Sequence, residues 1–105
     1  MPILQCWDDV KDTVSGPTVS KKITEGLGAS LVRLDIKAGS HAGRHSHLFE
    51  QFVHVISGGG TLESEQGTNR FCAGSLFHFT PGTWHAVHFD EDTILVETNL
   101  SIAPT

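Results

Sequence analysis

Residues 45–60 read HSHLFEQFVHVISGGG. From Gln51 to Ile56 the side chains alternate, with Gln51, Val53 and Val55 on one parity and Phe52, His54 and Ile56 on the other, before a run of glycines closes the segment. Successive side chains of an extended chain point to opposite faces, so this is the pattern of a half-buried β-strand running into a turn. Upstream, His45 and His47 carry the parity of Gln51. A chain that stays extended through Leu48, Phe49 and Glu50 sets two imidazoles, an amide and two valines along one inward face.

The same grammar governs the rest of the chain. Segments rich in Val, Ile, Phe and Thr occupy 18–24, 29–36, 50–57, 60–65, 69–73, 75–80, 84–89 and 93–99, with short candidate strands in 2–6 and 11–14. Between them lie EGLG, KAGS, SGGG, EQGT, CAG, TPGT and FDED, built from residues that tolerate positive φ or bond their own backbone. No long helical period, linker, repeat or low-complexity tract interrupts the pattern. Roughly eight to ten short strands with such brief connections predict one all-β domain over residues 1–105, a β-barrel or two-sheet jelly roll rather than an α/β fold.

Composition narrows the function. A content of 38% hydrophobic and 18% charged residues suits a packed soluble domain and not a disordered chain. The net charge of −5, with seven Lys and Arg scattered along the chain, argues against a nucleic-acid partner. Cys6 and Cys72 form no CxxC pair and are expected as buried thiols. The start MPILQCWDDV lacks a basic region and a sustained apolar run, and no segment approaches a membrane span, so a cytoplasmic protein without a membrane partner is expected.

Seven histidines in 105 residues pose the question of which can meet. A lone strand histidine is usually a surface or hydrogen-bonded residue, but an HxH pair on one face is a repulsive arrangement unless something accepts both rings. His85 follows the turn TPGTWH and can approach the same cavity from another strand, with Val87 and Phe89 extending its face. His41 shares the parity of His45 if residues 39–47 are extended throughout. His54 and His88 fall on the opposite faces and read as outer or interface residues, and parity alone assigns no face to His78, between Phe77 and Phe79.

These residues carry a resemblance to the cupin superfamily of small jelly-roll barrels. Gly39, His45, His47, Gln51 and Gly58 fall at the spacing of the first cupin motif, over 39–58, with Gln51 at its glutamate position. Gly74, Gly82 and His85 match the second, over 74–89, in which Thr80 stands at the proline position and Phe89 at the asparagine position. Pro81 still stiffens that turn. The resemblance implies a divalent transition metal held by His45, His47, Gln51 and His85, with one or two positions left for water or substrate. Three imidazoles and an amide oxygen suit Zn, Ni, Fe, Mn or Cu and poorly suit Ca or Mg.

Neutral ligands leave the ion its full charge, which favours Lewis-acid chemistry over oxygen activation. The expectation is a non-redox lyase, isomerase or cyclase acting on a small oxygenated metabolite. A metal-dependent dioxygenase is the alternative, and a non-catalytic sensor barrel a third. The chain also resembles, in part, the cupins of pectin and alginate breakdown that open unsaturated uronates, in its CWDD start and its ending ILVETN. That likeness places an acidic residue of the last strand, here Glu97, at the reaction. It lacks the group's following aromatic and arginine, since Asn99 and the tail LSIAPT supply neither. Glu97 and His41 are the candidate proton carriers. Trp84 is expected to pack between sheets, and Arg33 and Arg44 to be exposed. The outward stripe Phe52, His54 and Ile56 predicts a homodimer.

Overall fold

The computed structural model describes residues 3–13 and 16–101. After a short 3-10 turn at Trp7–Asp9 come nine strands: β1 (Val19–Glu25), β2 (Ala29–Ile36), β3 (His41–His45), β4 (Gln51–Ser57), β5 (Gly59–Ser64), β6 (Gly67–Cys72), β7 (Leu76–Phe79), β8 (His85–Phe89) and β9 (Thr93–Leu100). Every pairing is antiparallel. Five strands form one sheet in the order β1-β2-β9-β4-β7, and four form the other in the order β3-β8-β5-β6. The fold is the jelly-roll barrel expected of the alternation.

Eight of these strands lie where the periodic segments are. β3 is additional: GSHAGRH holds small residues and no β-branched one, so nothing in its composition marks a strand, and it forms because β8 offers a partner edge. Residues 3–6 form no strand. Asp12 makes only an isolated bridge to Lys22, while Met1, Pro2 and Val14 lie outside the described residues.

The core sits between the two sheets. Val53, Val55, Phe77, Phe79, Val87, Phe89 and Leu95 are all buried, and each occupies the inward parity of its strand. Completely burying such a side chain contributes on the order of 2 kcal/mol. Phe71 packs edge-on against Phe77 and Phe89, with ring centroids 5.2 and 6.0 Å apart, which locks β6 of one sheet onto β7 of the other. At the turn between β4 and β5, Gly58 has φ +92°, and a Cβ there would stand 2.4 Å from the carbonyl oxygen of Asp92. Only glycine fits.

The cysteines depart from expectation, since both are exposed. Cys72 neighbours buried Phe71 on β6 and therefore takes the outward parity.

Candidate metal centre

β3 and β8 bring His45 directly opposite His85 in register. Residues directly opposed in an antiparallel pair share a face, and here both rings turn inward. Their centroids lie 4.2 Å apart, and His47, just beyond β3, stands 5.1 Å from His45 and 5.4 Å from His85. One ligand nitrogen from each of the three falls within 4.8 Å of the others.

His47 and Gln51 arrive by a different route from the extended chain expected of HSHLFEQ. β3 belongs to the four-stranded sheet and β4 to the five-stranded sheet. The chain bends at Leu48 and Phe49 to cross between them, so strand parity does not run through the segment. Gln51 faces inward on its own account, only 3% exposed at the head of β4. Its Nε2 donates to Oδ1 of Asn99, 2.8 Å away on β9.

The imidazoles are held in a state fit for a metal. Nδ1 of His45 lies 2.7 Å from the Gly43 carbonyl and Nδ1 of His85 lies 3.3 Å from that of Thr83. A carbonyl only accepts, so Nδ1 carries the proton and Nε2 keeps its lone pair free, as metal-bound histidines require. Burial first, and the charge of His45 second, push the His85 ring down to about 4. The same two causes lower His47. Both rings are therefore neutral near pH 7, the form that binds metal. Phe79 stacks on His85 with centroids 3.8 Å apart, and Phe49 stacks on His47 at 4.7 Å. The turn before β8 is tied in as well: the Gly82 amide donates to the His47 carbonyl at 2.8 Å.

The triad opens onto a cavity of about 390 Å³ that Gln51, Glu97, Asn99 and Lys21 also line. Glu97 lies opposite Val53 of β4 and Val32 of β2, both inward and buried, so its carboxyl faces the interior. Burial pushes that carboxyl above its usual range, against the opposing pull of Lys21 and His45. Lys21 carries the inward parity of β1 between Val19 and Ile23. The alternation in TVSKKIT holds that signal, although the adjacent Lys22 masks it.

His41 stands apart from the triad. It borders the cavity, but the register of β3 shifts between Ala42 and His45, which breaks the parity that linked His41 to His45. It lies opposite exposed His88, their rings 6.2 Å apart. His54 and His88 are outward, as expected. His78 is outward too, bonded to Glu50 and stacked on Phe52 at 4.3 Å. Trp84 is half-buried and does not pack between the sheets: the Arg44 guanidinium sits 3.8 Å over its ring. Arg33 pairs with Asp35 at 3.3 Å, away from the cavity lining.

Two antiparallel sheets closed around three convergent imidazoles define a jelly-roll barrel with a candidate metal centre. The chain belongs to the cupin family, whose cupin domain model matches residues 32–100. No curated protein matches the sequence. Solved structures share the fold. KdgF from Halomonas sp. is 20% identical with a TM-score of 0.82, over 91% of this chain and 92% of its own. An RmlC-like cupin from Shewanella frigidimarina is 16% identical with a TM-score of 0.86, over 97% and 93%. Ectoine synthase from P. lautus is 19% identical with a TM-score of 0.81, over 99% and 93%. Among the described residues, no helix is long and apolar enough to cross a membrane.

Proposed function

We propose that this cupin is a metal-dependent enzyme in which His45, His47, His85 and Gln51 hold one divalent transition ion and Glu97 moves a proton. The reaction is a non-redox elimination, isomerisation or cyclisation of a small oxygenated metabolite. One observation carries the reading: an all-neutral donor set and a buried carboxyl, pushed up in pKa, line the same cavity. A bound dication with neutral ligands supplies Lewis-acid polarisation of a substrate carbonyl or carboxylate. The rest falls to the chain. The walls beside Glu97, from Val53, Phe77, Phe79 and Leu95, are apolar, while His45 lies exposed at the mouth. Glu97, which burial holds nearer neutrality than a surface carboxylate, is suited to give and take a proton there. Ectoine synthase, a relative in fold, bears an enzyme name, in keeping with catalysis on this scaffold.

The three imidazoles alone also suit a dioxygenase, and one experiment separates the two. Protein purified without an affinity tag is assayed for metal, then for turnover of keto and hydroxy acids with dissolved oxygen monitored. The expected result is one equivalent of a transition metal and turnover without oxygen uptake, abolished in Glu97→Gln with metal content unchanged. Oxygen consumption in step with turnover, or full activity in E97Q, overturns the proposal.

We further propose a homodimer through the outer face of the five-stranded sheet. Phe52 and Ile56 there are 43% and 44% exposed, and Leu76 on the neighbouring β7 is 75% exposed. An apolar stripe of this kind on a sheet surface is suited to a second copy.

A further inference from the structure

Lys21 and Lys22 are adjacent on β1 but face opposite ways. Lys22 donates from Nζ to the Trp7 carbonyl at 2.9 Å. Lys21 turns to the cavity, and among the described residues its ammonium makes no hydrogen bond and no ion pair. A lysine drawn inward is ordinarily paired, because an isolated ammonium in an apolar setting forfeits its hydration. The ionisable groups that line its cavity are Glu97, which feels its charge, the three histidines of the triad, two of which burial shifts towards the neutral form, and His41. The remaining walls near it, Leu34, Ile36 and Leu95, are apolar.

We propose that Lys21 is an anion subsite that selects a substrate bearing a carboxylate, with that carboxylate on the ammonium and the substrate's other oxygen function towards the triad. The inference deepens the reading above and names the substrate class, yet the anion at Lys21 stands on this chain's residues alone. The Lys21 ammonium, in a cavity where burial shifts the one facing carboxyl towards its neutral form, leaves positive charge for the ligand to neutralise. Carboxylate fits better than phosphate. Phosphate sites draw on arginine forks, helix N-termini or nests of backbone amides, whereas this cavity is lined by one lysine and no arginine. A lysine ammonium is a compact point charge matched to a single anionic group.

The test is an amide NMR titration of the metal-free full chain with succinate at low ionic strength, with succinamide as the uncharged control. Wild type is expected to show saturable shifts centred on β1 and β9 with succinate and none with succinamide. Lys21→Met should weaken binding at least about tenfold, because it removes a charge-assisted hydrogen bond to the carboxylate. Lys21→Arg should keep it, and Glu97→Gln should tighten it by removing the competing carboxyl. Because β1 is an edge strand and methionine keeps the stem, K21M is expected to fold, with K21R as the second variant if it does not. Equal affinity in wild type and K21M, no saturable binding by wild type, or shifts centred on Lys22 would each overturn the proposal. The two readings fail separately: a protein that takes up no metal keeps the succinate shifts, and one without the Lys21 subsite keeps its metal stoichiometry.

Discussion

Gln51 and Asn99 lie opposite one another across β4 and β9, and the Gln51 side-chain nitrogen donates to the Asn99 oxygen at 2.8 Å. An amide whose nitrogen is committed in one direction presents its oxygen in the other, which is the end a metal accepts. Asn99 is thus a positioning residue for the proposed fourth ligand. Asn99→Ala should lower metal affinity about 10- to 100-fold, read by competition with a chromophoric chelator. Asn99→Asp, which still accepts the bond, should restore most of it. An unchanged affinity in N99A would remove Gln51 from the ligand set.

Metal binding should register as stability. At a free concentration one hundred times Kd, an ion that binds only the folded chain adds about 2.7 kcal/mol. Zinc or nickel should raise Tm in calorimetry, a chelator should reverse the rise, and His47→Ala should abolish it while leaving the metal-free Tm near that of wild type.

Acid sensitivity of the metal-free protein follows from His85. Its folded pKa is about 4 against an ordinary 6.5, so as pH falls through that window the unfolded chain takes up the proton first. Stability is therefore full above about pH 6.5 and declines towards pH 4. Glu97 acts with the opposite sign, because a carboxyl raised in the folded state binds its proton more tightly there and gains stability as pH falls. Urea midpoints measured from neutral pH downward should fall, more steeply in Glu97→Gln and less steeply in His85→Phe.

Two motif glycines should respond differently to alanine. Gly58 combines φ +92° with a Cβ position 2.4 Å from both Asp92 O and Thr93 Oγ1, so Gly58→Ala should cost about 2–4 kcal/mol in urea unfolding. Gly82 has φ +82° but open space around it. Gly82→Ala should cost about 1 kcal/mol, with its larger effect on metal affinity, because its amide anchors the His47 carbonyl.

The homodimer proposal has a direct check. Phe52→Glu with Ile56→Glu should convert a dimeric mass in light scattering to a monomeric one, while metal content stays the same because both side chains point away from the cavity. A wild-type monomer would end that proposal.

Most of the architecture was legible because eight strands announce themselves by alternation, and the spacing from Gly39 to Gly58 and from Gly74 to His85 marks the turns that flank the rings. What local pattern does not encode is where a strand breaks. β3 forms from small residues under the influence of β8, its register slips beside Arg44, and the chain changes sheets at Leu48 and Phe49. Parity counted through those points linked His41 to His45 although the register slips between them, and gave the right face for Gln51 by the wrong path; His41 still borders the cavity. Lys21 was hidden for another reason. Two adjacent lysines look like a solvated pair, and only the strand assignment separates the one that faces inward.

Outside the barrel, Arg44 lies over the Trp84 ring, and each is the chain neighbour of an inward imidazole, His45 or His85. This exterior clip braces the two backbones from which those rings hang, so a change at the solvent surface reaches the spacing of the triad without touching any of its rings. Substitution at position 44 or 84 offers a dial on the proposed metal centre whose handle is in water.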